Sequence, residues 1–336
     1  MDFEDFVIYS EIMTVKNRYF FGIDGGGTNS RLAITDSGGR AISASKAGST
    51  NIYSVSKEEV FTNLSQLLDT ALKQASLEKT DLSAGCLGCA GLGREGERKL
   101  FSDFFDKFLW QGFPVKLCTD GEILLCGGLD NLEGYCLIAG TGSLALGRSL
   151  DGRLVRAGGH GYMLGDEGSS AWTGRTAIAR ILRSIEDRDL PTEMLPEILE
   201  AAGLQNAGDL IKYVHHDADK ATIGALAPAV TAAARKGDPL ALDILKTGAK
   251  ELAFLVKSVL GQSPWIKNKA LVLAGGVIEH DEILTGFLKQ ILAQENGDLK
   301  VGLPNGTALT GASMLAANLP AANQAATGAT VTESRN

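Results

Sequence analysis

Two short stretches constrain the fold more than any other part of this sequence: Phe21-Gly-Ile-Asp-Gly-Gly-Gly-Thr-Asn-Ser30 and Ile138-Ala-Gly-Thr-Gly-Ser143. Each places a glycine-rich turn between two runs of apolar and β-branched residues, so each predicts strand, tight turn, strand. Neither is a Walker A loop, which needs G-x-x-x-x-G-K-[ST] leading into a helix. Neither fits a dinucleotide fingerprint, whose glycines join a strand to a helix at a different spacing. A glycine hairpin between strands can instead converge backbone N–H groups on an anion with no Cβ in the way. Gly26, Gly27, Thr28 and Asn29 in the first turn are therefore candidate phosphate contacts, as are Gly140, Thr141 and Gly142 in the second. Asp24, at the end of the first strand, is placed to hold a metal through water. If the two turns face each other across a cleft, they can grip one polyphosphate from both sides.

The surrounding pattern repeats as well. Residues 19–24, 31–36 and 41–47 read as three strands joined by tight turns, an antiparallel meander. Ser56 opens a helix with a capping box, Glu59 standing three residues on, and Leu64, Leu67, Leu68, Ala71 and Leu72 mark its apolar face. Residues 82–89 form a buried strand, 94–109 a helix and 115–119 a strand ending at Asp120. The order then begins again, with strands over 135–139, 144–148 and 153–157. A helix-rich stretch over 169–260 follows, with an insertion-like region near 191–220, then a strand at 270–273, a helix at 281–292 and a last strand at 300–303. Residues 307–317 make a small-residue helix, which suits a close contact or hinge between lobes. The fold class is α/β, built from two copies of one meander-plus-α/β unit. The expected division is an extension over 1–17, a first domain of 18–130 plus 305–319, a second of 131–304, and a flexible tail over 320–336.

Three further constellations carry chemistry. Asp120 ends a buried strand, a position that faces the cleft in a two-lobed α/β protein. There a carboxylate can take the proton of an attacking hydroxyl late in a loose phosphoryl-transfer transition state. Its competing role is to cap the helix that follows. Asp166 and Glu167, in Gly158-Gly-His-Gly-Tyr-Met-Leu-Gly-Asp-Glu-Gly-Ser169, are flanked by glycine directly before a helix. Such carboxylates hydrogen-bond the hydroxyls of a polyol, or else cap the helix and pair with its dipole. His160, Gly161 and Tyr162 belong to the same candidate pocket. In Leu273-Ala-Gly-Gly-Val277, Gly275 and Gly276 permit close approach of a flat adenine or ribose, or make only a tight strand–helix turn.

Composition excludes several classes. The net charge of −8 and the lack of a basic stripe argue against a nucleic-acid partner. A nucleotide can still bind where amides and a metal ion supply the local positive field. No run of 18 apolar residues offers a membrane helix. Residues 1–16 lack the basic and apolar regions of a signal peptide, so a cytoplasmic protein is expected, with Met13 an alternative start. At about 100–200 residues per domain, the 336 residues suit two domains. The five cysteines are an odd set of free thiols in this reading. Cys86 and Cys89 form a C-x-x-C, but in an apolar run with no second pair and no histidines nearby, so core packing is expected over metal binding.

As a set, Asp24-Gly-Gly-Gly-Thr, Ala139-Gly-Thr-Gly-Ser, Gly165-Asp-Glu-Gly-Ser and Leu273-Ala-Gly-Gly-Val resemble the phosphate-1, phosphate-2, sugar and adenosine motifs of the actin/hexokinase/Hsp70 superfamily. More narrowly, the chain resembles the BadF/BadG/BcrA/BcrD ATPase family and its N-acetylglucosamine and glucosamine kinases, over residues 19–319. The resemblance implies two ribonuclease-H-like domains closing over Mg2+-ATP and a small sugar. Thr28 and Thr141 then become phosphate ligands and Asp120 the general base. Asn51 matches a sugar-contacting asparagine, Gly91 sits where the interdomain segment passes the site, and Ser143 joins the substrate contacts. Homodimers are frequent in the family. The chain departs from those kinases at His160, where tryptophan is usual, and at Leu144, where a polar residue is usual; both lie toward the amino or acetamido side of the sugar. Other members are ATPase activators of CoA-ester reductases and dehydratases, which bridge an iron–sulfur cluster through cysteine. A catalytically silent sugar sensor is the other alternative, against which Asp120 stands.

Overall fold

The glycine turns and the apolar runs beside them fold as two five-stranded mixed sheets in a computed structural model. It describes residues 18–93, 95–108 and 113–320; the expected extension over 1–17 and the tail from 321 onward lie outside the described residues. The first sheet holds β1 (Tyr19–Gly25), β2 (Ser30–Thr35), β3 (Ala41–Ala47), β4 (Leu82–Cys89) and β5 (Val115–Cys118), in the order β3-β2-β1-β4-β5. The meander β1–β2–β3 is antiparallel, while β4 and β5 add parallel to β1. The second sheet holds β6 (Gly134–Ala139), β7 (Ser143–Arg148), β8 (Leu154–Gly158), β9 (Ala270–Ala274) and β10 (Lys300–Gly302), in the order β10-β9-β6-β7-β8. Counted from β8, this is the order of the first sheet again, with the same antiparallel and parallel pairings. The duplication is therefore topological as well as rhythmic.

Helix α1 (Lys57–Ala75) connects β3 to β4, α2 (Glu95–Phe108) connects β4 to β5, and α3 (Asp120–Leu129) leads into the second sheet. Between β8 and β9 lie α4 (Ser170–Ile185), α5 (Leu195–Ala202), α6 (Asp209–Lys212), α7 (Lys220–Gly224), α8 (Ala227–Arg235) and α9 (Pro239–Gln262). After β9 come α10 (Gly276–His280) and α11 (Glu282–Glu295), and α12 (Ala308–Ala317) ends the described chain. Helix α1 forms as its sequence predicts. Ser56 Oγ accepts from the Glu59 amide at 3.2 Å, and Leu64, Leu67, Leu68 and Ala71 are fully buried. Each such leucine contributes about 1.5–3 kcal/mol by leaving water.

The small-residue helix α12 returns to the first sheet and packs on β1 and α3. Glycine makes this contact. A Cβ on Gly311 would lie 1.9 Å from Ile123 O, and one on Gly22 would lie 2.5 Å from Ser313 N. Around α3 a third core joins the two sheets, containing Cys86, Cys118, Cys126, Cys136, Ile123, Leu146 and Val272. All five cysteines are buried and free, with Cys86 Sγ 3.6 Å from Cys118 Sγ. They act as small apolar residues, as their setting in the sequence predicts. Among the described residues no helix is long and apolar enough to cross a membrane.

Candidate active site

Because β1, β4 and β5 run parallel, their C-terminal ends lie on one side of the first sheet, where open α/β sheets bind ligands. Those ends carry Asp24, the Cys89–Gly91 segment and Asp120. Thr119, not Asp120, caps α3: its hydroxyl accepts from the Glu122 amide at 3.3 Å. Asp120 is therefore released from capping and stands exposed at the first helical position, its Oδ1 accepting from the Gly121 amide at 2.9 Å. The helix is fixed by buried Glu122, which pairs with Arg148 at 3.0 Å and with Lys116 at 3.1 Å.

Asp120 opens onto a cleft of about 370 Å³ whose walls come from both units. Tyr53, Gly91 and Thr119 line it from the first, and Leu144, Leu146 and Arg156 from the second. Gly91 has φ +97°, and a Cβ there would lie 3.0 Å from the Tyr53 ring, so both conformation and space call for glycine. Asn51 stands beside it, its Oδ1 accepting from the Tyr53 amide at 2.9 Å. Burial raises the pKa of Asp24; the Arg31 charge opposes that rise and the Asp120 charge adds to it. The two carboxylates thus sense each other across the strand ends.

The first hairpin is buttressed from below, where Gly26 O accepts from Thr50 N at 3.3 Å and from Ser49 Oγ at 3.2 Å. Gly27, Thr28 and Asn29 stand exposed at its tip. The second hairpin closes through Gly140 N to Gly142 O at 2.9 Å, and the Ser170 amide of α4 donates to Gly140 O at 2.9 Å. Gly140, Thr141 and Gly276 share a second cavity of about 330 Å³ with Ser170, Thr173, Thr231, Arg235, His280 and Asp281. Thr28 lines neither cavity. A Cβ on Gly140 or Gly276 would meet nothing nearer than 4.0 Å, so bare backbone there faces open space. Gly275 differs: at φ +103° its Cβ would lie 2.4 Å from Ala139 O.

Ser143, Asp166 and Glu167 come together, but away from the walls of both cavities. Asp166 is buried at φ +60°, accepting from Ser143 N at 3.4 Å and from Lys220 Nζ at 2.8 Å. Both its oxygens are engaged by protein groups, an arrangement different from the sugar contact expected of it. Ser143 Oγ donates to Glu167 O at 2.7 Å. His160 is exposed and lies near Gly165, Gly161 has φ +88°, and Tyr162 O accepts from Arg175. None of these three lines the Asp120 cleft, whereas Leu144 does. Tyr53, Arg156, Lys220 and Arg31 are functional candidates that sequence reading passed over. Only Arg156 carried a signal, as a cation in the third strand of a meander just before Gly158-Gly159.

The profile of the BadF/BadG/BcrA/BcrD ATPase family matches residues 21–316. The chain is similar to the N-acetylmuramic acid/N-acetylglucosamine kinase of Clostridium acetobutylicum, with 34% identity over 82% of this chain and 90% of that one. It is similar to the N-acetyl-D-glucosamine kinase of Dictyostelium discoideum, with 26% identity over 90% and 99%. Among solved structures, a Chromobacterium violaceum protein provisionally described as an N-acetylglucosamine kinase superposes with a TM-score of 0.67 at 27% identity, covering 89% of this chain and 98% of that one. A ROK family glucokinase from Streptomyces griseus, at 19% identity and a TM-score of 0.51, covering 89% and 99%, shares the fold.

Proposed function

The chain belongs to the BadF/BadG/BcrA/BcrD ATPase family, and from that premise we propose that it is an ATP-dependent kinase of an amino sugar, N-acetylglucosamine first among them. The observation that carries this reading is the position of Asp120, exposed at the floor of a cleft walled by both units. At about 370 Å³ that cleft has the size of an ordinary small-molecule site, ~300–1,000 Å³. Asp120 orients an acceptor hydroxyl and takes its proton late in the transfer. The nucleotide's base and ribose lie in the second cavity, against Gly140, Thr141 and Gly276. Backbone amides of the two hairpins, with the hydroxyls of Thr28 and Thr141, hold the phosphates.

The donor set also suits Mg2+, which keeps several waters and takes one or two carboxylates together with phosphate oxygens. Asp24, whose ionisation burial and Asp120 both oppose, is the carboxylate that a dication would relieve. When bound, the ion neutralises charge on the phosphates. The activator reading fits poorly, since an iron–sulfur cluster needs thiolates at a surface shared by two subunits. Here burial pushes the thiols of Cys89 and Cys126 up to about 12. Free thiols and a nucleotide substrate suit the cytoplasm. The test is ADP release, coupled to a chromogenic reaction, with glucosamine, N-acetylglucosamine, glucose and mannose offered separately. Turnover should be highest with an N-acetylated amino sugar, and no sugar-stimulated ADP release with any of them would reject the reading.

A further inference from the structure

Building on that reading, we infer that Arg156 is the residue that receives a carboxylate on the acceptor sugar, so that the cleft takes amino sugars with an acidic ether substituent. Among the described residues, Arg156 is the one cation that lines the Asp120 cleft. It comes from β8, on the wall that the second unit contributes, while Asp120 belongs to the first. A sugar that presents a hydroxyl to Asp120 therefore has its other substituents available to Arg156.

The guanidinium is held in place by its own backbone. Arg156 Nε donates to Gly158 O at 3.2 Å, and Nη2 donates to Gly159 O at 2.7 Å. A Cβ on Gly159 would come within 2.2 Å of Nη2, so the group lies against bare glycine backbone. A guanidinium has five N–H donors, and these two bonds leave most of the fork uncommitted. Among the described residues no carboxylate pairs with it, although most arginines of this chain that face a carboxylate do so in close ion pairs, as Arg148, Arg180 and Arg235 show. An arginine fixed in advance loses little freedom when it binds, and its planar fork matches a carboxylate with two parallel bonds.

Its neighbours on the wall favour an anion further. Leu144 and Leu146 flank it in the cleft, and a Cβ on Gly159 would also lie 3.2 Å from Leu144 Cβ. Arg156 itself is exposed, so its charge is open to an anion that enters the cleft from solvent. Leu144 offers a neutral hydroxyl nothing to bond, whereas a carboxylate reaching past it finds the guanidinium.

The experiment compares kcat/KM for N-acetylglucosamine and for N-acetylmuramic acid, which carries a lactyl ether carboxylate, in the wild type, Arg156→Met and Arg156→Lys, by ADP release. The ratio of acidic to neutral sugar should fall by about 10–100-fold in Arg156→Met, the loss of one charge-assisted bidentate contact. Arg156→Lys, which keeps the charge and loses the fork, should fall between the two. KM for the acidic sugar alone should rise with ionic strength in the wild type. A ratio unchanged in Arg156→Met, both sugars losing equally, makes Arg156 a support for its loop and overturns the inference. Wild-type turnover of N-acetylglucosamine without N-acetylmuramic acid overturns the inference and leaves the kinase reading intact. Turnover of neither sugar removes both.

Discussion

Lys220 Nζ lies 2.8 Å from Oδ2 of Asp166, a carboxylate buried in the loop that leads into α4. The other Asp166 oxygen receives the Ser143 amide, directly after the second hairpin, so one ion pair ties α7, the α4 loop and the start of β7 together. Removing one partner of a buried pair costs about 3–5 kcal/mol. Lys220 is 35% exposed, so water recovers part of the loss. Lys220→Met should destabilise the protein by about 1–3 kcal/mol, measured as a shift in urea midpoint. Asp166→Asn added to that variant should restore part of the stability, because it removes the unpaired charge. Strictly additive losses in the double variant would show that the two residues are not coupled.

Asp120 is free of the capping role, which Thr119 fills. Asp120→Asn keeps the size and the bond to the Gly121 amide but removes the base. We expect kcat to fall by about 10²–10⁴-fold, with nucleotide affinity close to that of the wild type. Single-turnover measurement with the best acceptor sugar distinguishes this from slow product release. A variant with near-normal chemistry would take Asp120 out of the reaction.

Asp24 has a pH signature of the opposite sense to most carboxylates. Burial raises its pKa in the folded protein, Arg31 opposes the rise and Asp120 adds to it. A carboxylate whose folded pKa exceeds its unfolded value costs folding free energy above the folded pKa. That cost vanishes once the pH falls below the unfolded value, about 3.9. Asp24→Asn should therefore raise the stability of the ligand-free protein at neutral pH, with the gain shrinking as the pH is lowered through the carboxylate range. The same variant should lose Mg2+-dependent turnover, a trade of activity for stability. Urea unfolding at several pH values is the check, and a variant less stable than wild type at pH 7 would contradict the sign.

Much of this fold is legible because glycine and apolar rhythm act locally. The strands of both sheets sit within about two residues of where period and turn chemistry place them, since a Gly-rich turn ends a strand whatever packs on it. Asp120 was readable because it follows closely on a strand, although β5 is only half-buried and ends at Cys118, two residues earlier than the expected strand end at Asp120. The capping choice at α3 was not: Thr119 and Asp120 are both good caps and adjacent, and the backbone decides between them. Lys220 was invisible because it meets Asp166 across 54 positions of chain, from α7, a helix of five residues with no periodic pattern of its own. Arg156 shows in sequence as a cation just before Gly158-Gly159, but its place in a cleft wall does not, because only the approach of the first unit turns that edge strand into one.

Gly275 and Gly276 are adjacent and chemically identical, yet the structure assigns them opposite sensitivities. Gly275 sits at φ +103°, and a Cβ there would press to 2.4 Å from Ala139 O, at the root of the second hairpin. Gly275→Ala combines a strained backbone, about 1–3 kcal/mol, with a collision against main chain that cannot rotate away, so it should lower Tm sharply. Gly276 opens α10, and its Cβ would meet only His280 Cδ2, at 4.0 Å. Alanine is favoured over glycine in a helix by up to ~1 kcal/mol, so Gly276→Ala should leave Tm unchanged or higher. Its methyl would enter the cavity shared with Gly140 and Thr141, and affinity for a fluorescent ATP analogue should drop. A Gly276→Ala protein that binds the analogue as tightly as the wild type would mean that the nucleotide sits elsewhere.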